Sequence, residues 1–255
     1  MHSETAPTSR PLAIVSGGSR GLGLETARGL AAAGFDLALI AKDAQRLKGA
    51  RQSLLSEFAA TQTGLTITTH PIDLEDQVAT RKTATEISTT LTNPKVLVLA
   101  HGVMSEKMSK TLRTTDAEWN RVININLNSV FILVNAIAPA MADARDGRVV
   151  IYSACLGRMS GPGSAGGLAP YRISKAGVNS LVRNLAHETA LGARGFYIDA
   201  TCPNHTRTDM GGPDAPRSVE EGAETAIWLA TADIAQRGSE VVTGVLWEDR
   251  KVVPW

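Results

Sequence analysis

A chain of 255 residues can bury a substantial core and fits one large domain. With 43% hydrophobic residues and a net charge of +1, it lacks the signature of a disordered segment or of a polyanion-binding protein. Five histidines and two cysteines fall in no metal-ligand spacing, so no metal site is expected. Cys155 and Cys202 are expected to be reduced. No unbroken apolar run reaches the ~18 residues of a membrane span. Residues 1–10 are polar, with Pro7 and no apolar centre, and read as a disordered tail rather than a secretory signal. The expectations are a cytoplasmic protein with no nucleic-acid or membrane partner.

In chain order, Leu12–Val15 reads as a buried strand ending in glycines, followed by an Ala- and Leu-rich helix from Leu22 to Ala33 that stops at Gly34. Phe35–Ala41 is a second strand. Ala44–Thr61 is an amphipathic helix with Leu47, Leu54, Leu55 and Phe58 on one side. Leu65–His70 is strand-like, and Asp73–Thr90 reads as a helix capped by Asp73. Val96–Ala100 is a fourth strand. Thr115-Asp116-Ala117-Glu118 is a capping box opening the longest helix, to about Ala144, with Pro139 expected to end or kink its last turns. Arg148–Ser153 is strand five. The Gly/Pro/Ser-rich stretch Leu156–Pro170 must be a loop. Tyr171–Leu191 is a helix, Phe196–Cys202 a strand and Pro203–Arg217 a loop. A second capping box, Ser218-Val219-Glu220-Glu221, opens a helix to about Thr231, and Val241–Trp247 is the last strand.

Strands that are continuous apolar runs, alternating with helices, are the pattern of a parallel sheet covered on both faces. There is no repeat, linker or charge block. The expected fold is α/β, a Rossmann-type doubly wound parallel sheet forming a single domain over residues 11–255.

Two motifs carry the chemistry. Gly17, Gly21 and Gly23, with Ser19, Arg20 and Leu22 between them, form a turn from a strand into a helix. Such a turn lets backbone N–H groups approach a pyrophosphate, and the helix N-terminus adds partial positive charge. Tyr171 and Lys175 lie one helical turn apart on one face. A nearby ammonium favours the phenolate, making the pair a candidate general acid/base. Together the motifs resemble the short-chain dehydrogenase/reductase family over nearly the whole chain. The stretches Thr208–Gly212, Ser218–Ala223 and Asp249–Trp255 are similar in style to its carbonyl-reductase branch.

The resemblance implies a cofactor site. Ala41 stands where an NAD-preferring member places an acid, while Lys42 and Arg20 bring cations to where a 2′-phosphate would lie; the implied cofactor is NADP(H). Asp43 reads as a helix N-cap. Asp73 and Leu74 resemble the adenine-contacting pair. Where the family has Asn-Asn-Ala-Gly, this chain has Leu99-Ala100-His101-Gly102 and keeps only Gly102, which puts local bracing in doubt. Pro203, Thr206 and Thr208 resemble the segment that holds the nicotinamide carboxamide, with Asn204 replacing a glycine.

The implied catalytic set is Asn126, Ser153, Tyr171 and Lys175. Asn126 would hold a water linking Lys175 to solvent. If Gly157 fixes the register of Ser153-Ala154-Cys155-Leu156-Gly157, the carbonyl-binding place holds Ala154; if the long loop slips the register, Ser153 enters it. Ser160 and Ser164 are alternatives. In the implied reaction hydride passes to a ketone carbon as Tyr171 protonates its oxygen, the direction being reversible in principle. The short border Asn204–Arg217 predicts an open pocket that admits a bulky small-molecule ketone or alcohol, and the similarity to the carbonyl-reductase branch implies a xenobiotic-like or secondary-metabolite-like substrate. The other reading is an NADP(H)-binding sensor or scaffold without redox activity. Val122, Ile125, Val130, Phe131, Val134 and Ile137 give the longest helix excess apolar surface, and in the family such helices pair between subunits, so a homodimer or homotetramer is expected.

Overall fold

The structure, a computed structural model, describes residues 10–106, 110–237 and 242–255. The expected N-terminal tail, apart from Arg10, lies outside the described residues, as does Val241. Seven parallel strands and one antiparallel edge strand form a single sheet. They are β1 (Leu12–Ser16), β2 (Asp36–Ala41), β3 (Ile67–Pro71), β4 (Pro94–Leu99), β5 (Gly147–Tyr152), β6 (Phe196–Thr201), β7 (Leu246–Glu248) and β8 (Lys251–Val253). Their spatial order is β3-β2-β1-β4-β5-β6-β7-β8. The chain leaves β1 in one direction and returns to lay β4 on its other side, which opens a crevice at the carboxyl ends of β1 and β4.

Side-chain alternation splits the core into two layers. Ala13 and Val15 of β1 pack with α1 (Gly21–Ala32), α2 (Ala44–Glu57) and α7 (Val219–Thr231). Ile14 faces the other layer, shared with α3 (Gln77–Thr90), α6 (Ala169–Glu188) and the longest helix. Both faces of the central strands are apolar because both are covered.

The longest helix is not uniform. α4 (Asp116–Ile123) passes through a π-helical turn, Asn124–Asn128, into α5 (Ser129–Asp143). A π turn inserts an extra residue and re-aims the side chains that follow; here it carries Asn126. Nothing in the residue pattern signals it. Pro139 neither ends the helix nor stands at its end, because Ile137, Ala138 and Met141 around it are buried. By length and composition alone the 28-residue helix Asp116–Asp143 could cross a membrane. It is instead a core helix: it buries Asn126 and Ser129, and α5 packs on α3, β4 and β5.

Several boundaries differ from expectation. α2 ends at Glu57 rather than Thr61, in a turn closed by Phe58. The cap of α3 is Asp76, which accepts from the N–H groups of Val78 and Ala79; Asp73 closes the preceding turn. Only half of the first capping box forms, because the Glu118 carboxylate turns to Glu106 N–H and Arg121. The Ser218–Glu221 box is complete. The carboxyl-terminal strand is followed by an antiparallel partner, β8, that was not expected.

Candidate active site

A cavity of about 700 Å³ occupies the crevice between β1 and β4. The turn after β1 forms its floor. Gly17 adopts φ 73°, and a Cβ there would lie 2.9 Å from the Ala100 carbonyl carbon. A Cβ on Gly23 would lie 2.3 Å from the Gly17 oxygen. Side chains are barred at both places, which keeps backbone N–H groups exposed at the start of α1. Of the residues expected to hold a dinucleotide, Gly17, Ser19, Arg20, Gly21, Leu22, Gly23, Lys42, Asp73, Leu74, Gly102 and Thr208 line this cavity. Pro203, Thr206, Tyr171 and Lys175 are not among its lining residues. Thr206 is buried, its hydroxyl donating to the Pro203 carbonyl at 3.0 Å.

Cations and carboxylates meet at the cavity's rim. Lys42 lies 2.6 Å from Asp73, which holds the ammonium above its ordinary pKa through that hydrogen bond. Arg20 pairs with Asp209, and Arg46 lies 3.7 Å from the same carboxylate. Arg46 and Asp209 line the cavity unforeseen from sequence. Arg46 sits in the first turn of α2, directly after the strand end that carries Lys42, so its position was a usable signal. Asp209 offered none, because its place depends on how the loop after β6 folds. Ala41 supplies no acid at the end of β2; Arg20, Lys42 and Arg46 line the cavity there, each paired with a carboxylate, Asp43 among them. These features fit a dinucleotide carrying a 2′-phosphate.

His101 replaces the family's asparagine bracing. Its Nδ1 lies 2.5 Å from the Ser16 hydroxyl and its Nε2 2.8 Å from that of Ser129. The Ser129 hydroxyl donates to the Ile125 carbonyl at 2.6 Å, so it accepts from His101, and His101 in turn accepts from Ser16. Burial, followed by the Lys175 charge, pushes the imidazole down to about 3, which keeps it neutral. The bond chain ties β1 and the end of β4 to the π turn that carries Asn126.

Asn126 is fully buried. Its side chain accepts from Val103 N–H (2.8 Å) and donates to the Val103 carbonyl (2.9 Å) and the Ser174 hydroxyl (3.1 Å). It thereby locks the strand β4 exit to α6. A Cβ on Gly102 would lie 3.4 Å from the Asn126 oxygen and 3.6 Å from Lys175 Nζ. Gly102 thus joins the cavity to both residues.

Tyr171 and Lys175 are both buried on α6. The Lys175 ammonium stands 5.9 Å from the Tyr171 ring centroid and donates to the Tyr152 carbonyl at 2.7 Å. Burial lowers Lys175 from 10.5 to about 8. The expected depression of the Tyr171 phenol is not found. Burial raises its pKa, and the thiols of Cys202 and Cys155 raise it further, so the phenol stays protonated across the neutral range.

Ser153, expected to face the carbonyl, is turned into the α6 interface. Its hydroxyl donates to Asn179 Oδ1 at 2.5 Å and lies 3.4 Å from the Lys175 carbonyl. Ala154 packs with Tyr171 and Val122 instead. A one-residue step past the strand end exchanges the two faces. Ser160 bonds the Trp255 carbonyl at 3.0 Å. The loop before α6 is held by Arg172, which donates to the carbonyls of Gly167, Pro162 and Gly163. Sequence reasoning missed this role.

The family model for short chain dehydrogenase matches residues 11–218. The chain belongs to the short-chain dehydrogenase family. It is therefore an oxidoreductase acting between CH–OH and C=O groups. Among curated relatives, the 3-oxoacyl-(acyl-carrier-protein) reductase of Escherichia coli (strain K12) is 31% identical over 199 residues, 78% of this chain and 75% of that protein. Gluconate 5-dehydrogenase of Gluconobacter oxydans (strain 621H) is 27% identical over 94% of this chain and 86% of its own. Among solved structures, a blue fluorescent protein from a metagenomic library in complex with NADPH superposes with TM-score 0.78 at 26% identity, covering 94% of this chain and 96% of its own. A metagenomic short-chain oxidoreductase in complex with NADP gives TM-score 0.73 at 26% identity, covering 93% and 96%.

Proposed function

We propose that the protein is an NADPH-dependent ketoreductase with Tyr171 as its general acid. The observation that carries this reading is a buried, protonated phenol whose ring lies 5.9 Å from the Lys175 ammonium, which itself ends beside Gly102 in the lining of the dinucleotide cavity. The phenol is held in its protonated form across the neutral range, so it has a proton to give to a carbonyl oxygen. Arg20, Lys42 and Arg46 select the 2′-phosphate by charge. Bound NADPH supplies the hydride. Tyr171 gives its proton to the carbonyl oxygen as charge develops there. Lys175 holds the end of β5 and supplies positive charge next to the phenol. Asn126 fixes Val103 and Ser174 and so sets the distance between β4 and α6.

The substrate reading is a bulky ketone. Met210 lines the cavity from the loop after β6 and offers a flexible apolar side chain to such a substrate. The 3-oxoacyl reductases among the relatives act, by name, on ketones too. We place the enzyme in the cytoplasm, with residues 11–255 as one catalytic unit, assembled as a homodimer or homotetramer.

One observation favours a second reading, an NADP(H)-binding protein without redox activity: Ala154 leaves no hydroxyl where Ser153 was expected. Incubating the purified protein with NADPH and a panel of diketones and aromatic ketones separates the two. Loss of NADPH absorbance with any ketone supports the reductase; tight NADPH binding without turnover on every ketone supports the sensor.

A further inference from the structure

Cys155 and Cys202 are the chain's two cysteines, and both are free. They are far apart in sequence but leave the sheet side by side. β5 and β6 are paired in parallel up to Tyr152 and Thr201, and Ser153 N–H continues the ladder to the Thr201 carbonyl at 2.8 Å. Just beyond, Cys155 N–H donates to the Cys202 sulfur at 3.0 Å. That contact brings the two residues within the range that a short side-chain bridge spans. Cys202 is buried, whereas Cys155 is partly exposed in the turn Cys155–Gly157.

The pair is chemically asymmetric. The neighbouring Cys202 thiol, which lies 3.8 Å from Asn204 Oδ1, holds Cys155 below the ordinary thiol range. The proximity of Cys155, with burial, holds Cys202 above it. The accessible sulfur is thus the thiolate, and the sheltered one keeps its proton as a resolving thiol. Ala154, directly before Cys155, packs on Tyr171. Neither thiol is assigned a step in the proposed reduction, although both help hold the Tyr171 phenol protonated.

We propose that Cys155 and Cys202 form a hydroperoxide-oxidisable dithiol beside the catalytic tyrosine. The Cys155 thiolate attacks the O–O bond of a hydroperoxide. An S–O bond forms, the O–O bond breaks, and the departing oxygen takes a proton and leaves as water or an alcohol. The Cys202 sulfur then attacks the Cys155 sulfur as its own proton departs. The S–S bond forms, the S–O bond breaks, and hydroxide leaves with that proton as water. Two thiols are oxidised to one disulfide while one hydroperoxide is reduced. A small dithiol returns the bridge to two thiols by thiol–disulfide exchange and is itself oxidised to a disulfide. The bridge draws the Cys155 turn toward β6 and moves Ala154 against Tyr171, so the oxidised form turns over more slowly. Only that last consequence rests on the reductase reading.

The test is hydrogen peroxide treatment of the full chain, followed by intact mass and alkylated-peptide mapping, which needs no turnover. The expected result is joint loss of both thiols, a mass lower by two hydrogen atoms, a single Cys155–Cys202 peptide pair, and recovery of both thiols with dithiothreitol. In Cys202→Ala, Cys155 should accumulate a sulfenic acid that dimedone captures. In Cys155→Ala, Cys202 should resist the same peroxide exposure. Oxygen added to Cys155 while Cys202 keeps its thiol in the unaltered chain would overturn the proposal. So would bridges between chains, or survival of both thiols under peroxide that fully oxidises glutathione.

Discussion

Lys175 gives its 2.7 Å hydrogen bond to the Tyr152 carbonyl, while the Tyr171 ring lies 5.9 Å from the same ammonium. Burial lowers this lysine from 10.5 to about 8. Below pH 8 the folded protein carries the full cost of a buried charge. Between pH 8 and 10.5 the folded lysine loses its proton while the unfolded one keeps it, so the cost fades as pH rises. At roughly 1.4 kcal/mol per pKa unit the cost is on the order of 3 kcal/mol, less about 1 kcal/mol for the carbonyl's hydrogen bond. Lys175→Met should therefore be more stable than the parent at pH 7 and lose that advantage near pH 10, with turnover sharply reduced. Urea denaturation at the two pH values checks this. A variant no more stable at pH 7 would contradict the burial cost.

Cofactor choice should follow the rim charges. Neutralising Arg20, Lys42 and Arg46 to Gln should weaken NADPH binding by on the order of tenfold per cation, because each loses a charge-assisted bond to phosphate. NADH binding should barely move. Asp209→Asn releases both Arg20 and Arg46 from their shared carboxylate and should tighten NADPH alone. Fluorescence titration of each protein with both cofactors reads these affinities, and equal affinities in the unaltered protein would end the charge argument.

Much of this was legible in the sequence because it is local. The glycine turn and the Tyr171–Lys175 pair are set by spacing within one turn and one helix, so they could be placed without a fold. What escaped depends on contacts between distant segments. His101 stood out as a missing asparagine, but its bonds to Ser16 and Ser129 join three elements. Asp73 and Asp76 sit one turn apart in similar surroundings, and only the register of α3 decides which caps it. The same one-residue ambiguity separates Ser153 from Ala154 after β5. The Tyr171 pKa ran opposite to expectation because of burial, which sequence does not show, with Cys202 and Cys155 adding to it.

Ser153→Ala separates structural from catalytic roles. The hydroxyl donates to buried Asn179, so its removal should cost stability, about 1–3 kcal/mol, with turnover near normal. Ala154→Ser should raise turnover, since a hydroxyl there would face Tyr171 and could steady the developing charge. Steady-state kinetics beside thermal melts distinguish the two. A collapse of turnover in Ser153→Ala with unchanged melting would return Ser153 to the catalytic set.

Assembly should use the longest helix. Most of its apolar residues, including Val122, Val130, Val134 and Ile137, are buried within the subunit, but Phe131 is 49% and Trp119 37% exposed. Light scattering should show a dimer or tetramer at micromolar concentration, and Phe131→Asp should shift it to monomer. A monomeric parent protein would refute this.

The most direct test of the central claim is single-turnover NADPH oxidation by the unaltered protein and by Tyr171→Phe, on the best ketone of the panel, with NADPH affinity measured in parallel. The substitution removes one oxygen from a buried ring and leaves the cleft's lining intact. The account predicts that Tyr171→Phe binds NADPH as the parent does and loses turnover by at least the ~10²–10⁴-fold that general acid catalysis supplies. Comparable turnover in the two proteins would contradict Tyr171 as the proton donor.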